Sequence, residues 1–121
     1  MNNNIELGKR GEDLAVTYLR KHNYKILERN YRCKFGEVDI IALDKKTLVF
    51  IEVKTRTSKE FGSPLTGVTP KKQRQLAKIA LYYVQKHRAF DRPARFDVVA
   101  VEIISEHIQV NIIKNAFEVF I

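Results

Sequence analysis

Three features of the 121-residue sequence predict an α/β fold in which a mixed β-sheet is flanked by helices. Two segments carry apolar residues at helical spacing, five carry β-branched or alternating apolar runs, and their order is α, β, β, β, α, β, β. A three-strand meander followed by a helix and another strand calls for a mixed sheet covered by helices.

The first helix is predicted over Ile5 to His22, where Leu7, Leu14, Tyr18 and Leu19 recur on one stripe with Ala15 among them, and it ends near Asn23. Gly8 and Gly11 cost the helix about 1 kcal/mol each in propensity but remove side chains, which lets it approach the sheet closely. The period then changes. Tyr24 to Tyr31, Val38 to Leu43 and Thr47 to Val53 read as three successive strands, with Asp44, Lys45 and Lys46 as the hairpin turn between the last two. Lys54 to Val68, punctuated by Gly62, Pro64 and Gly67, is too irregular for an element and long enough to be a working loop.

Thr69 is placed as the N-cap of the second helix with Pro70 at its first position. Leu76, Ile79, Ala80, Tyr83 and Val84 form its apolar stripe, and its other face is basic. After Asp91, Arg92 and Pro93 come two strands, Phe96 to Ile103 and Ile108 to Ile113, separated by Ser105 and Glu106. The apolar end from Ala116 to Ile121 is expected to pack on the core, with packing against a second subunit as the alternative. With no repeat, low-complexity tract or linker, residues 1–121 are expected to form one domain.

Lys and Arg number 22 against 14 Asp and Glu, and the resulting net charge of +8 favours a polyanionic partner. A hydrophobic fraction of 45% supplies a core and excludes disorder as the default. The longest apolar stretches, such as Leu48 to Ile51 and Val98 to Val101, fall far short of the ~18 residues a membrane span needs, so no membrane partner is expected. The amino terminus lacks the apolar stretch of a secretory signal. Cys33 is the only cysteine, which excludes an internal disulfide and fits a reducing cytoplasm.

The informative positions are charges lying where the pattern wants apolar side chains, because a buried unpaired charge needs a partner or a metal to persist. In the third predicted strand Val49, Ile51 and Val53 share one face, and Leu48, Phe50, Glu52 and Lys54 the other. Glu52 and Lys54 are thus an acid and a base roughly 7 Å apart on one face, a spacing that a local ion pair at a strand edge would also produce. An even-numbered turn pairing Leu43 with Leu48 puts Asp39 opposite Glu52 and Glu37 opposite Lys54. Two facing carboxylates repel unless something cationic sits between them, and a divalent metal is the economical solution. Glu12, on the small-residue side of the first helix, is predicted to face inward toward them; the alternative is an exposed carboxylate complementing the helix dipole.

Mg²⁺ or Mn²⁺ suits such a set, since hard cations take carboxylate oxygens and leave room for water and substrate phosphate. Asp39 and Glu52 would hold the ion, and Lys54 would orient water or stabilise the charge of phosphoryl transfer.

These residues resemble the pattern of the PD-(D/E)XK nuclease superfamily, whose core is a helix, a three-stranded meander, a helix and a further strand. Glu12 resembles its helix carboxylate, Gly36-Glu37-Val38-Asp39 its second motif and Glu52-Val53-Lys54 its third; Val38 stands where the name-giving proline would be. Gly8-x-x-Gly11-Glu12, Gly36 through Ile41, Phe50 through Arg56 and Arg95-Phe96-Asp97-Val98-Val99 are similar to the bacterial YraN family of endonuclease-like proteins, and also to archaeal Holliday-junction resolvases. The resemblance implies a restriction-endonuclease-like sheet, with Asp39, Glu52, Lys54 and Glu12 as catalytic residues and Asp39, Glu52 and Glu12 as metal ligands. It further implies hydrolysis of DNA phosphodiesters, with branched or damaged DNA as substrate, and allows a homodimer or a protein partner.

Lys71, Lys72, Gln73 and Arg74, at the start of the second helix, are the expected phosphate contacts, with a solvated helix face as the alternative. Arg56, with Arg32 and Lys34, extends the same track. Asp97 interrupts an apolar strand and is read as a structural acceptor for Arg95, with a supporting role behind the site residues as the alternative. His22, His87 and His107 lack ligand spacing. Two other functions fit the same sequence: a nucleic-acid-binding protein that keeps the nuclease fold with little activity alone, and a basic partner-binding adaptor without DNA affinity.

Overall fold

The computed structural model describes residues 3–57 and 67–118. Its elements are helix α1 (Asn3–Lys21), strands β1 (Tyr24–Cys33), β2 (Gly36–Asp44) and β3 (Thr47–Arg56), helix α2 (Pro70–His87), and strands β4 (Ala94–Ile104) and β5 (His107–Phe117). The five strands form one open sheet in the order β1-β2-β3-β4-β5. Only β3 and β4 pair in parallel, and α2 supplies the crossover that a parallel pair requires.

The helices cover opposite faces. Ala15, Val16 and Leu19 of α1 share a core with Ile40, Val49 and Ile51, whereas Leu76, Ile79 and Tyr83 of α2 share another with Ile41, Leu48 and Phe50. Burial on both faces is why Leu48 to Ile51 reads as an unbroken apolar run. Among the described residues, no helix is long and apolar enough to cross a membrane.

The strands outrun the apolar runs that predict them. β3 continues through Lys54, Thr55 and Arg56, which the sequence assigns to a loop, because β4 pairs with it as far as Arg56 and Glu102. Ladder hydrogen bonds belong to the backbone and tolerate polar side chains. Gly62 and Pro64 of that loop lie outside the described residues, and Val68 is buried in the core beneath α2. β5 likewise reaches Phe117, whose ring stacks on Phe96 with centroids 5.1 Å apart; residues 119–121 lie outside the described residues.

Local chemistry fixes the helix ends. Asn23 turns the chain after α1 with φ 68°. Thr69 caps α2 as expected, its hydroxyl accepting from the Lys72 amide at 3.2 Å with Pro70 at the first position. Each helix closes on a stacked Tyr and His pair, Tyr18 with His22 and Tyr83 with His87, and each imidazole hydrogen-bonds its tyrosine's carbonyl. Of the two helix glycines, only Gly11 serves close approach: a Cβ there would run into the Thr55 side chain, whereas one at Gly8 would meet open space.

Asp97 is structural and 1% exposed. Its carboxylate accepts from Arg95 Nε at 2.9 Å, from the Tyr24 hydroxyl at 3.2 Å and from the Asn115 amide at 2.9 Å. The last bond meets a need of the sheet, because the β4–β5 register slips between Phe96 and Val98 and leaves Asn115 with φ 50° outside the ladder. Arg95 also binds Asp44 at 2.7 Å, so the network ties β1, β2, β4 and β5 together at one end of the sheet.

Candidate active site

The predicted β2–β3 register is present from Asp44 opposite Thr47 to Ile40 opposite Ile51, and there the ladder stops. β2 continues beside β1 as far as Gly36, so β2 and β3 part into a fork just where Asp39 would face Glu52. The alternation of β2 breaks at the same place. Val38 and Ile40 would share a face in a regular strand, yet Val38 enters the α2-side core and Ile40 the α1-side core. Asp39 sits at this break, and its carboxylate accepts a hydrogen bond from the Val53 amide at 2.8 Å. That bond spans the fork and satisfies a backbone donor the ladder has released.

Glu52 projects from the α2 side of β3 and is 6% exposed. Its carboxyl is pushed up to about 7, first by burial and then by the charge of Asp39, with Lys72 and Lys54 opposing. Lys72 Nζ, reaching in from the first turn of α2, lies 3.6 Å from Glu52 Oε2 and donates to the Glu37 carbonyl at 3.3 Å. Glu52 Oε1 is buried with no hydrogen-bond partner among the described residues. The Lys54 amine packs against Gly67, where a Cβ would stand 3.4 Å from Nζ.

The other predicted acids behave differently. Glu37 does not face Lys54; it pairs with Arg32 at 2.6 Å, since β2 has turned away from β3 by then. Glu12 lies well inside α1 rather than at its first turn, which removes the helix-dipole alternative. It lines a pocket of about 390 Å³ with Asp39, Val53 and Thr55. Its Oε1 accepts from Arg29 at 3.0 Å and Asn30 at 3.1 Å. Among the described residues, no group of three or more acids, histidines or cysteines is placed to hold a metal ion: Asp39 and Glu52 lie together, while Glu12 shares a pocket with Asp39 and is engaged by Arg29 and Asn30 of β1.

Of the predicted phosphate contacts, Lys71, Lys72 and Arg74 line an open cleft of about 510 Å³ along α2, with Lys34 and Lys78. Gln73 does not point into it; its amide donates to the Val68 carbonyl at 3.0 Å and braces the entry to the helix. Arg56 extends no track toward this cleft but reaches 4.0 Å from Glu102, across the parallel pair. The role of Lys72 as the cation over Glu52 was not visible in strand patterning, because it depends on where α2 lands. The same holds for Arg29 and Asn30 on Glu12.

The fit of a divalent cation can be judged from the donors. Glu52 presents one buried oxygen with nothing to satisfy it among the described residues, and Asp39 keeps a second carboxylate beside it. Two carboxylates leaving the remaining positions to water and phosphate is the donor set that Mg²⁺ takes from proteins.

Comparison with known proteins agrees with the motif reading at the level of family. The model of the family described as "Uncharacterised protein family UPF0102" matches residues 11–101. A UPF0102 protein of Geobacter metallireducens is 55% identical over 95% of this chain and 94% of its own length. One from Syntrophus aciditrophicus is 50% identical over 98% of the chain and 93% of its own length, and one from Caldicellulosiruptor saccharolyticus 51% over 95% and 99%. By this match across nearly its whole length, the chain belongs to the UPF0102 family, the YraN-like group its motifs resemble.

Proposed function

We propose that this chain is a metal-dependent endonuclease that hydrolyses phosphodiester bonds in DNA, with branched or damaged DNA as its substrate. The observation that carries the reading is the buried carboxyl of Glu52, crowded by Asp39 and with one oxygen that has no hydrogen-bond partner among the described residues, reached by Lys72, which also lines the basic cleft along α2. A buried carboxylate facing a second acid is costly without a cation, and a basic cleft is the surface a phosphate backbone seeks. The element order and the placing of Asp39 at the fork support membership of the PD-(D/E)XK superfamily and the likeness to archaeal Holliday-junction resolvases.

Asp39 and Glu52 would hold Mg²⁺ or Mn²⁺. Such an ion, when bound, polarises the scissile phosphate and makes its water more acidic. Lys54, two residues along the strand from Glu52, would stabilise the negative charge on the phosphoryl oxygens as water adds to phosphorus and one P–O ester bond breaks. Lys71 and Arg74 would hold the flanking backbone. Residues 1–121 acting as one domain in the cytoplasm, alone, as a homodimer or with a protein partner, complete the proposal.

A second reading has its own observation. Lys72 already sits 3.6 Å from Glu52, so the pair is partly neutralised within the protein, as in a nucleic-acid-binding protein that keeps the fold without the chemistry. Purified protein incubated with Mg²⁺ or Mn²⁺ and linear, nicked and four-way DNA separates the two. Cleavage that requires the metal and disappears in Glu52→Ala is expected. DNA binding without cleavage under every condition would leave the binding protein, and cleavage that survives Glu52→Ala would sink the site.

A further inference from the structure

The cleft along α2 has a feature that charge alone does not require. The two-residue turn between β1 and β2 is Lys34 and Phe35, where such turns usually carry Asn, Asp or Gly. Phe35 is 36% exposed and lines the cleft with Lys34, Lys71, Lys72 and Arg74. Burial in the core would stabilise an apolar ring, so a ring left at the rim forgoes part of that gain.

The ring is held there. Tyr82 of α2 meets it edge-on, with centroids 6.1 Å apart and planes at 72°. Lys34 Nζ lies 5.3 Å from its centroid. The next residue, Gly36, has φ 128° and no side chain, so Gln75 of α2 packs directly against the turn; a Cβ at Gly36 would collide with the Gln75 amide. The turn is thereby pinned to the helix whose first residues carry the cations. Lys72, on the same wall, leads on to Glu52.

A sugar-phosphate backbone lying on these cations presents its bases beside the ring. In a continuous duplex those bases are stacked on their neighbours and paired; in a single strand, or at a branch or gap, their faces are open. The geometry points to Phe35 as a stacking platform for an unpaired base, so that this cleft selects single-stranded or locally unpaired nucleic acid over continuous duplex. The inference rests on the cleft being a nucleic-acid track, as proposed above, but not on cleavage.

The chain contains no tryptophan, so Phe35→Trp installs a single emitter whose fluorescence falls when a base stacks on it. The titration is run in EDTA with oligo(dT), a blunt duplex and heparin, which carries the negative charge without bases. Phe90→Trp provides the control emitter, since Phe90 is 67% exposed and does not line the cleft. Oligo(dT) is expected to quench the Phe35→Trp protein strongly while heparin and duplex do not, with the control emitter unmoved. In the companion experiment Phe35→Ala is expected to lose about tenfold in affinity for oligo(dT) and less than twofold for heparin, as base stacking on aromatics predicts. Quenching that is equal for all three polyanions, no quenching by bound oligo(dT), or unchanged oligo(dT) affinity in Phe35→Ala would overturn the platform while leaving the phosphate track intact. No binding of any polyanion would remove both.

Discussion

Replacing Glu52 by Gln removes the ionisation that the fold disfavours, and the consequence is a change in how stability depends on pH. The folded protein holds this carboxyl at about 7, against an ordinary value of 4.5, because burial and then Asp39 oppose its charge. Between those two values the folded state binds the proton more tightly than the unfolded one. Stability from this group is therefore full at acidic pH and is lost as pH rises toward and through about 7. At roughly 1.4 kcal/mol per pH unit the loss totals about 3 kcal/mol. For a chain of this size about 4 °C of melting temperature accompanies each kcal/mol, so the effect is roughly 10 °C. Glu52→Gln, neutral throughout, is expected to gain on the wild type by that amount between about pH 4 and about pH 9. The assay is thermal unfolding of both proteins across the range, read as the difference between them so that titrating groups remote from Glu52 cancel. Mg²⁺ or Mn²⁺ at about 100 times its dissociation constant would return about 2.7 kcal/mol to the wild type alone at high pH. A difference that stays flat across the range, or shrinks as pH rises, would refute the account of Glu52 as a buried acid crowded by Asp39.

Two further outcomes test how the framework is held. Gly11→Ala should destabilise by about 1–3 kcal/mol because its Cβ meets Thr55, while Gly8→Ala, in open space on the same helix, should stabilise by up to about 1 kcal/mol; urea denaturation of the pair reads both signs. Asp97→Ala leaves the Asn115 amide without its acceptor and removes one of the two carboxylates that hold Arg95, which keeps Asp44, and is expected to cost about 2–3 kcal/mol, measured by the shift in denaturation midpoint; a loss below about 1 kcal/mol would show that the network is dispensable.

Patterning made much of this legible. Helical spacing of Leu14, Ala15 and Leu19, the N-cap at Thr69 and the run from Leu48 to Ile51 each report a local preference or a buried face, and all three stand in the structure. The hairpin register followed from the turn alone and holds from Asp44 opposite Thr47 to Ile40 opposite Ile51, one step short of the expected pairing of Asp39 with Glu52. Element ends were less legible, since β3 and β5 run on through polar residues that a neighbouring strand recruits into the ladder.

The charges divide along the same line. Sequence by itself was enough to expect Asp39, Glu52 and Lys54 near one another, because strand alternation and a short turn are local rules, and Asp39 and Lys54 do both act on the Glu52 carboxyl. It also offered Arg95, two residues away on the same strand, as the partner of Asp97. Only the tertiary structure decided who answers the remaining charges. Arg29 and Asn30 take Glu12, Lys72 descends on Glu52, and Arg32 takes Glu37, leaving one buried carboxylate oxygen without a partner among the described residues. Those pairings depend on how α1 and α2 sit on opposite faces and on where β2 leaves β3. Such placements are set by packing between segments far apart in the chain, and no local pattern encodes them.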